Sequence, residues 1–204
     1  MKFAMMTKLS LLALVISLSS VLWAADAPAG GAIDPQKSSI TVQVFKAGVF
    51  SAFGHEHEIS APMQQGSFTE NPGSVELTVD ARRMRVMDKG ISEKDRAEIQ
   101  QTMLGPKVLD SEKFPEIRFR STGIERLGEG RWIVLGELTI HGETHPVKVH
   151  VEGANGRYRG TAELKQKDFG ITPVTVGGGA VKVKNELRVE FEIVSKKCLI
   201  FVTR

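Results

Sequence analysis

The chain predicts an all-β fold: an antiparallel sheet of about eight strands that curls or closes into a barrel, with one short helical insertion. Three observations carry the prediction. Most of the sequence beyond Ser38 alternates apolar and polar residues with a period of two, as strands buried on one face do. Turn sequences such as Asn71-Pro72-Gly73 and Ala154-Asn155-Gly156 separate these runs at short intervals. Only the segment from Ser92 to Leu104 loses the period and carries helix start and stop signals.

Taken in order, Ser39 to Phe45 (SITVQVF) places Ile40, Val42 and Val44 on one face and reads as the first strand. The stretch Phe45 to Ile59 (FKAGVFSAFGHEHEI) ends in the second. If extended, it points Phe53, His55, His57 and Ile59 one way and Gly54, Glu56 and Glu58 the other. Gln64 to Thr69 and Ser74 to Asp80 form a hairpin around Asn71-Pro72-Gly73. Ser92 and Asp95 then resemble a capping box, Gly105-Pro106 stops the helix, and Ile99 and Met103, four apart, are its inward stripe. A shorter helical turn is expected at Val108 to Ser111, before Phe114-Pro115 forces the chain extended.

The remainder is strand. Ile117 and Phe119 alternate; Trp132, Val134, Leu138 and Ile140 share a parity; Val147, Val149 and Val151 share a face, with His150 on the other. Tyr158 to Lys165 returns from the Asn-Gly turn, and Val181, Val183, Leu187, Val189, Phe191 and Ile193 make a long two-faced strand. There is no βαβ alternation and no fixed repeat. Gly177-Gly178-Gly179 precedes a strand rather than a helix, which sets aside phosphate-loop and dinucleotide readings in favour of a loop or bulge.

The N-terminus predicts the compartment. Lys2 and Lys8 precede an apolar run from Leu9 to Trp23 and then small residues, the order of a secretory signal peptide. The run is short for a spanning helix of roughly 20 residues. Residues 1–25 are read as the leader, with Ala24, Ala25 and Ala27 as rival cleavage positions, and no cysteine follows to accept a lipid. Removing them takes two of the 27 basic residues and none of the 24 acidic ones, leaving a net charge of +1. Such a near-neutral chain is a poor nucleic-acid binder. Cys198 is the single cysteine, so the core must hold the exported domain together without an internal disulfide.

Four strings, IDPQKSSITVQV, DRAEIQQTMLGPKVLDSEKFPEIRFRST, GELTIHGETHPVKV and KDFGI, in this order and spacing, resemble the YceI-like family of exported polyisoprenoid-binding proteins over about residues 32–194. The resemblance implies a lipocalin-like barrel whose apolar pore holds an isoprenoid chain of polyprenyl or quinone type, often in a homodimer. It implies a periplasmic protein that binds, stores or transfers this lipid, with transient membrane contact, no catalysis and no cofactor beyond the lipid. Residues 26–31 are then a linker, and 195–204 a tail of no assigned role. GHEHEI departs from the commonest family pattern, which leaves the headgroup preference open.

Within that frame the candidate lining is Phe45, Phe50, Phe53, Met84, Met87, Met103, Phe114, Phe119, Phe169 and Ile171, aromatic and adaptable side chains that suit an irregular apolar ligand. Each is equally accounted for as an ordinary core residue. His55 and His57 admit three readings: contact with a ligand headgroup, a metal site completed by His141, His145 or His150, or structural histidines bonded to neighbours such as Glu56. A metal-binding protein centred on this pair and a solid-core interaction barrel are therefore the alternatives to lipid binding. Asp88, Glu93, Asp95, Arg96 and Glu98 read as a solvated charged face, and Glu56 and Glu58 as solvated glutamates. Ser51 and Ser60 lack a nucleophile-elbow context.

Overall fold

The computed structural model describes residues 30–47, 56–70, 73–176 and 181–196. Alternation becomes twelve strands of one curled sheet: β1 (Gly30–Ala32), β2 (Ser39–Ala47), β3 (His57–Ser60), β4 (Met63–Glu70), β5 (Gly73–Asp80), β6 (Arg85–Val86), β7 (Glu116–Gly128), β8 (Arg131–Ile140), β9 (Glu143–Ala154), β10 (Arg157–Lys165), β11 (Thr175–Val176) and β12 (Val181–Val194). Eight of these have eight or more residues. β3 is the strand expected at the end of GHEHEI, whereas the three additions, β1, β6 and β11, are too short for period-two alternation to register.

The strand order is β1-β4-β5-β7-β8-β9-β10-β12-β2-β3-β6, with antiparallel pairing throughout and β11 on β12. The segment 57–70 belongs to both ends of this order. Its first part pairs with β2, the Ala61 N–H donates to the Ile40 carbonyl, and from Met63 onward it pairs with β5. The sheet thereby curls around its apolar face.

Gly30 and Gly31, expected in the linker, lie in β1 opposite Thr69 and Phe68. Glycine is needed there, because a Cβ on Gly30 would stand 2.5 Å from the Phe68 carbonyl oxygen. Ser195 and Lys196, expected in the tail, also join the fold: Ser195 bridges to Ile33, and the Lys196 N–H donates to the Ala32 carbonyl.

Local signals set the connections. Asn155 (φ 54) and Gly156 (φ 78) form the two-residue turn between the partners Ala154 and Arg157, the left-handed pair that matches the twist of a hairpin. The helix α1 (Glu93–Leu104) is capped by Ser92, whose hydroxyl oxygen accepts from the Asp95 N–H at 3.1 Å, and it ends at Gly105. Residues 106–113 make turns, with no helical assignment at the helical turn expected over Val108 to Ser111, and Asp110 stands at φ 44.

Candidate functional site

Inward-facing residues surround a cavity of about 1040 Å³. The sheet supplies its wall through single-parity sets: Ile40, Val42 and Val44; Val75, Leu77 and Val79; Val147, Val149 and Val151; Leu187, Val189, Phe191 and Ile193. The middle is apolar. From α1, Ile99 and Met103 reach the same space, as their spacing predicts.

Of the candidate residues, Phe45, His57, Met84, Met103, Phe119, Phe169 and Ile171 stand on the cavity wall. Phe50, Phe53 and His55 lie outside the described residues. Met87 and Phe114 are elsewhere. From Met84 to Met87 the chain is extended, so Met84 and Val86 turn inward and Arg85 and Met87 outward, leaving Met87 49% exposed. Two methionines three apart on such a segment do not share a face. Phe114 instead packs edge-on against the His141 ring, 4.8 Å between centroids, beneath the turn at Gly142.

One end of the cavity is aromatic. Phe68 and Trp132 both set their rings edge-on against Tyr158, at 5.3 Å and 5.9 Å between centroids. A one-residue bulge in β7 shapes the nearby rim. Ser121 opposes Gly136 and Gly123 opposes Leu135, so the inward parity switches from Ile117 and Phe119 to Ile124 and Arg126. Regular alternation read from the sequence does not reveal that switch.

The other end lies under α1 and is polar, lined by Lys46, His57, Asp95, Glu98, Thr102 and Lys182. His57 and Ile59 face inward as expected, with Glu58 exposed on the outer side. The partner of His57 is Asp88, 31 residues away, rather than Glu56: the ring Nδ1 lies 2.6 Å from Asp88 Oδ2. Asp88 Oδ1 accepts the Glu58 N–H at 2.7 Å, and the Asp88 carbonyl accepts from Arg96 at 2.6 Å. Asp88 is thus 6% exposed and fully engaged, in contrast to the solvated charge expected of it.

A polar latch holds α1 over this end. The Gln100 side chain accepts the Val86 N–H and donates to the Met84 carbonyl, both at 2.9 Å, and so completes the free edge of β6 as a neighbouring strand would. Asp95 and Glu98, read as part of a solvated face, line the cavity mouth.

The other histidines stay apart from this cluster. His141 and His145 pack by the 3-10 turn Gln166–Phe169, His141 Nδ1 lying 3.3 Å from the Phe169 carbonyl oxygen and the His145 ring 5.4 Å from the Phe169 ring. His150 is on the exposed face. No group of three or more His, Cys, Asp or Glu side chains suited to a metal ion occurs among the described residues.

Comparison with known proteins bears on the fold and family. The YceI-like domain family matches residues 32–195. A UPF0312 protein of Vibrio cholerae serotype O1 is 31% identical over 140 residues, covering 61% of this chain and 68% of that one. A UPF0312 protein of a Shewanella species (strain W3-18-1) is 29% identical over 195 residues, covering 90% and 97%. Among solved structures, Burkholderia cenocepacia BcnA superposes with a TM-score of 0.55 at 22% identity, covering 80% of this chain and 99% of that one. That likeness concerns the fold.

Proposed function

The chain belongs to the YceI-like domain family, and from that premise we propose that it binds, stores or transfers an isoprenoid lipid of polyprenyl or quinone type inside its barrel. The observation that carries the reading is the mostly apolar cavity of about 1040 Å³, at the upper end of the roughly 300–1,000 Å³ of small-molecule pockets. An isoprenoid tail offers apolar area and few hydrogen bonds, so affinity comes from burial at roughly 25 cal/mol per Å². A wall of alternating aliphatic side chains with phenylalanines and methionines supplies that burial without demanding one ligand shape. The protein acts in the periplasm after removal of the leader, meets membranes transiently to exchange its lipid, and works as a homodimer.

The test is organic extraction of protein purified from its native host, followed by mass spectrometry. A prenyl lipid near one per chain is the expected result. Val149→Trp, which places a large ring on the cavity wall, should reduce the recovered lipid about tenfold, equivalent to roughly 1.4 kcal/mol of binding. Wild-type protein that carries and takes up no lipid overturns the reading. A solid barrel conflicts with the open volume, and no specific observation favours a metal site at His55 and His57, the first of which lies outside the described residues.

A further inference from the structure

The pairing of His57 with Asp88 settles which nitrogen of the ring is left for the cavity. An ionised carboxylate only accepts hydrogen bonds. Asp88 Oδ1 is occupied by the Glu58 N–H at 2.7 Å, and Oδ2 stands 2.6 Å from His57 Nδ1. Nδ1 therefore carries the proton and donates it to Asp88. In the neutral imidazole the second nitrogen, Nε2, is then a lone-pair acceptor, with no hydrogen-bond partner among the described residues. His57 is on the cavity wall, at the polar end, opposite Val44 and thus two residues along β2 from Lys46. Asp88 is fixed in turn by Arg96 and by its own burial, so the ring orientation is held from behind.

We infer that the Nε2 of neutral His57 is the headgroup-selecting atom of the cavity, accepting a hydrogen bond from a hydroxyl, so that with the ring neutral the site prefers a hydroxyl-terminated isoprenoid, a prenol or hydroquinone, over a carbonyl-terminated one such as a quinone. A carbonyl oxygen facing Nε2 sets two acceptors against each other, and a buried acceptor without a donor is costly. Asp88 is the positioning residue, because it fixes the tautomer. The inference rests on the container reading above and adds to it the chemistry of the lipid's polar end.

The experiment uses the mature chain and two probes sharing one twenty-carbon isoprenoid tail, the prenol and the corresponding methyl ketone, with affinities measured at alkaline pH where imidazole is neutral. Wild-type protein should bind the prenol roughly tenfold more tightly. His57→Asn keeps a side-chain N–H for Asp88 and removes the atom that faces the cavity. It should bind the two probes within about twofold of each other, with a wild-type circular dichroism spectrum and a cooperative unfolding transition reporting an intact fold.

Asp88→Asn makes a sharper statement. The Glu58 N–H holds the amide oxygen in the Oδ1 place, so the amide NH2 faces Nδ1 and drives the ring proton to Nε2. The ketone should then gain roughly tenfold, and nitrogen NMR of the ring should show the proton moved from Nδ1 to Nε2. Equal binding of both probes by wild type overturns the inference alone. A prenol preference that survives His57→Asn, or an unmoved preference in Asp88→Asn, does the same. Failure of wild type to bind either probe overturns the container reading and this inference with it.

Discussion

The two ends of the cavity are built by different physics. At the end formed by Phe68, Tyr158 and Trp132, three rings on β4, β10 and β8 meet because each sits at an inward position of a paired strand. Closure there is a by-product of sheet register and apolar burial. At the end under α1, closure depends on side-chain hydrogen bonds: Gln100 to the edge of β6, Arg96 to the Asp88 carbonyl, and Asp88 to His57 and Glu58. One end belongs to the cooperative core, whereas the other is a separate layer latched onto it. Stability and local opening should therefore respond differently to mutation at the two ends.

Phe68→Ala should have the largest effect, because it removes a ring that packs on Tyr158 and on the buried cluster. A loss of about 3 kcal/mol of global stability is expected from urea unfolding. Gln100→Ala should cost about 1 kcal/mol, mainly through the Val86 N–H left without its partner, since the Met84 carbonyl keeps the bond from Arg85. Its signature should be faster amide exchange confined to α1 and β6, with the rest of the sheet protected. If Gln100→Ala instead lowers global stability as much as Phe68→Ala, the helix is part of the core and the contrast between the ends disappears.

Asp80 gives the smallest effect. The Arg82 side chain, bonded to both carboxylate oxygens at 2.9 Å, holds its carboxyl below the ordinary value of 3.8. A depressed carboxyl contributes stability at pH values above 3.8 and loses it as the pH falls through the lower folded value. Asp80→Asn should accordingly lower stability slightly in the neutral region, flatten the acid limb of the stability curve below pH 3.8 and make no difference at pH values where Asp80 is protonated in both the folded and the unfolded chain.

The strand faces were more legible in the sequence than the polar contacts under α1, for a reason that follows from the same contrast, although Phe68, Trp132 and Tyr158 themselves were not among the expected lining residues. Period-two alternation assigns faces without any knowledge of partners, so Ile40 to Val44, Trp132 to Ile140 and Leu187 to Ile193 could be placed inward from the string alone. The helix stripe of Ile99 and Met103 and the Asn155-Gly156 turn were legible on the same local grounds. Asp88 was not. Its environment comes from β3, 30 residues earlier, and from Arg96 on the following helix, and nothing within its own run of charges distinguishes it from a solvated neighbour. The inward turn of Arg126 was hidden too, since the bulge at β7 shows only in the pairing with β8. Met87 was misplaced for want of an element boundary: composition suggested a methionine for the pore, but extended geometry after Met84 sends it outward.

The shared segment 57–70 bears on how any cargo must travel. Because one continuous stretch of backbone is stitched to β2 on one side and to β5 on the other, the sheet has no seam there along which its walls could part. On the proposed function, a guest passes this wall by threading lengthwise, as a cord is drawn into a sleeve. On the isoprenoid-binding reading, that geometry suits a slender single chain with one small head rather than a two-tailed lipid.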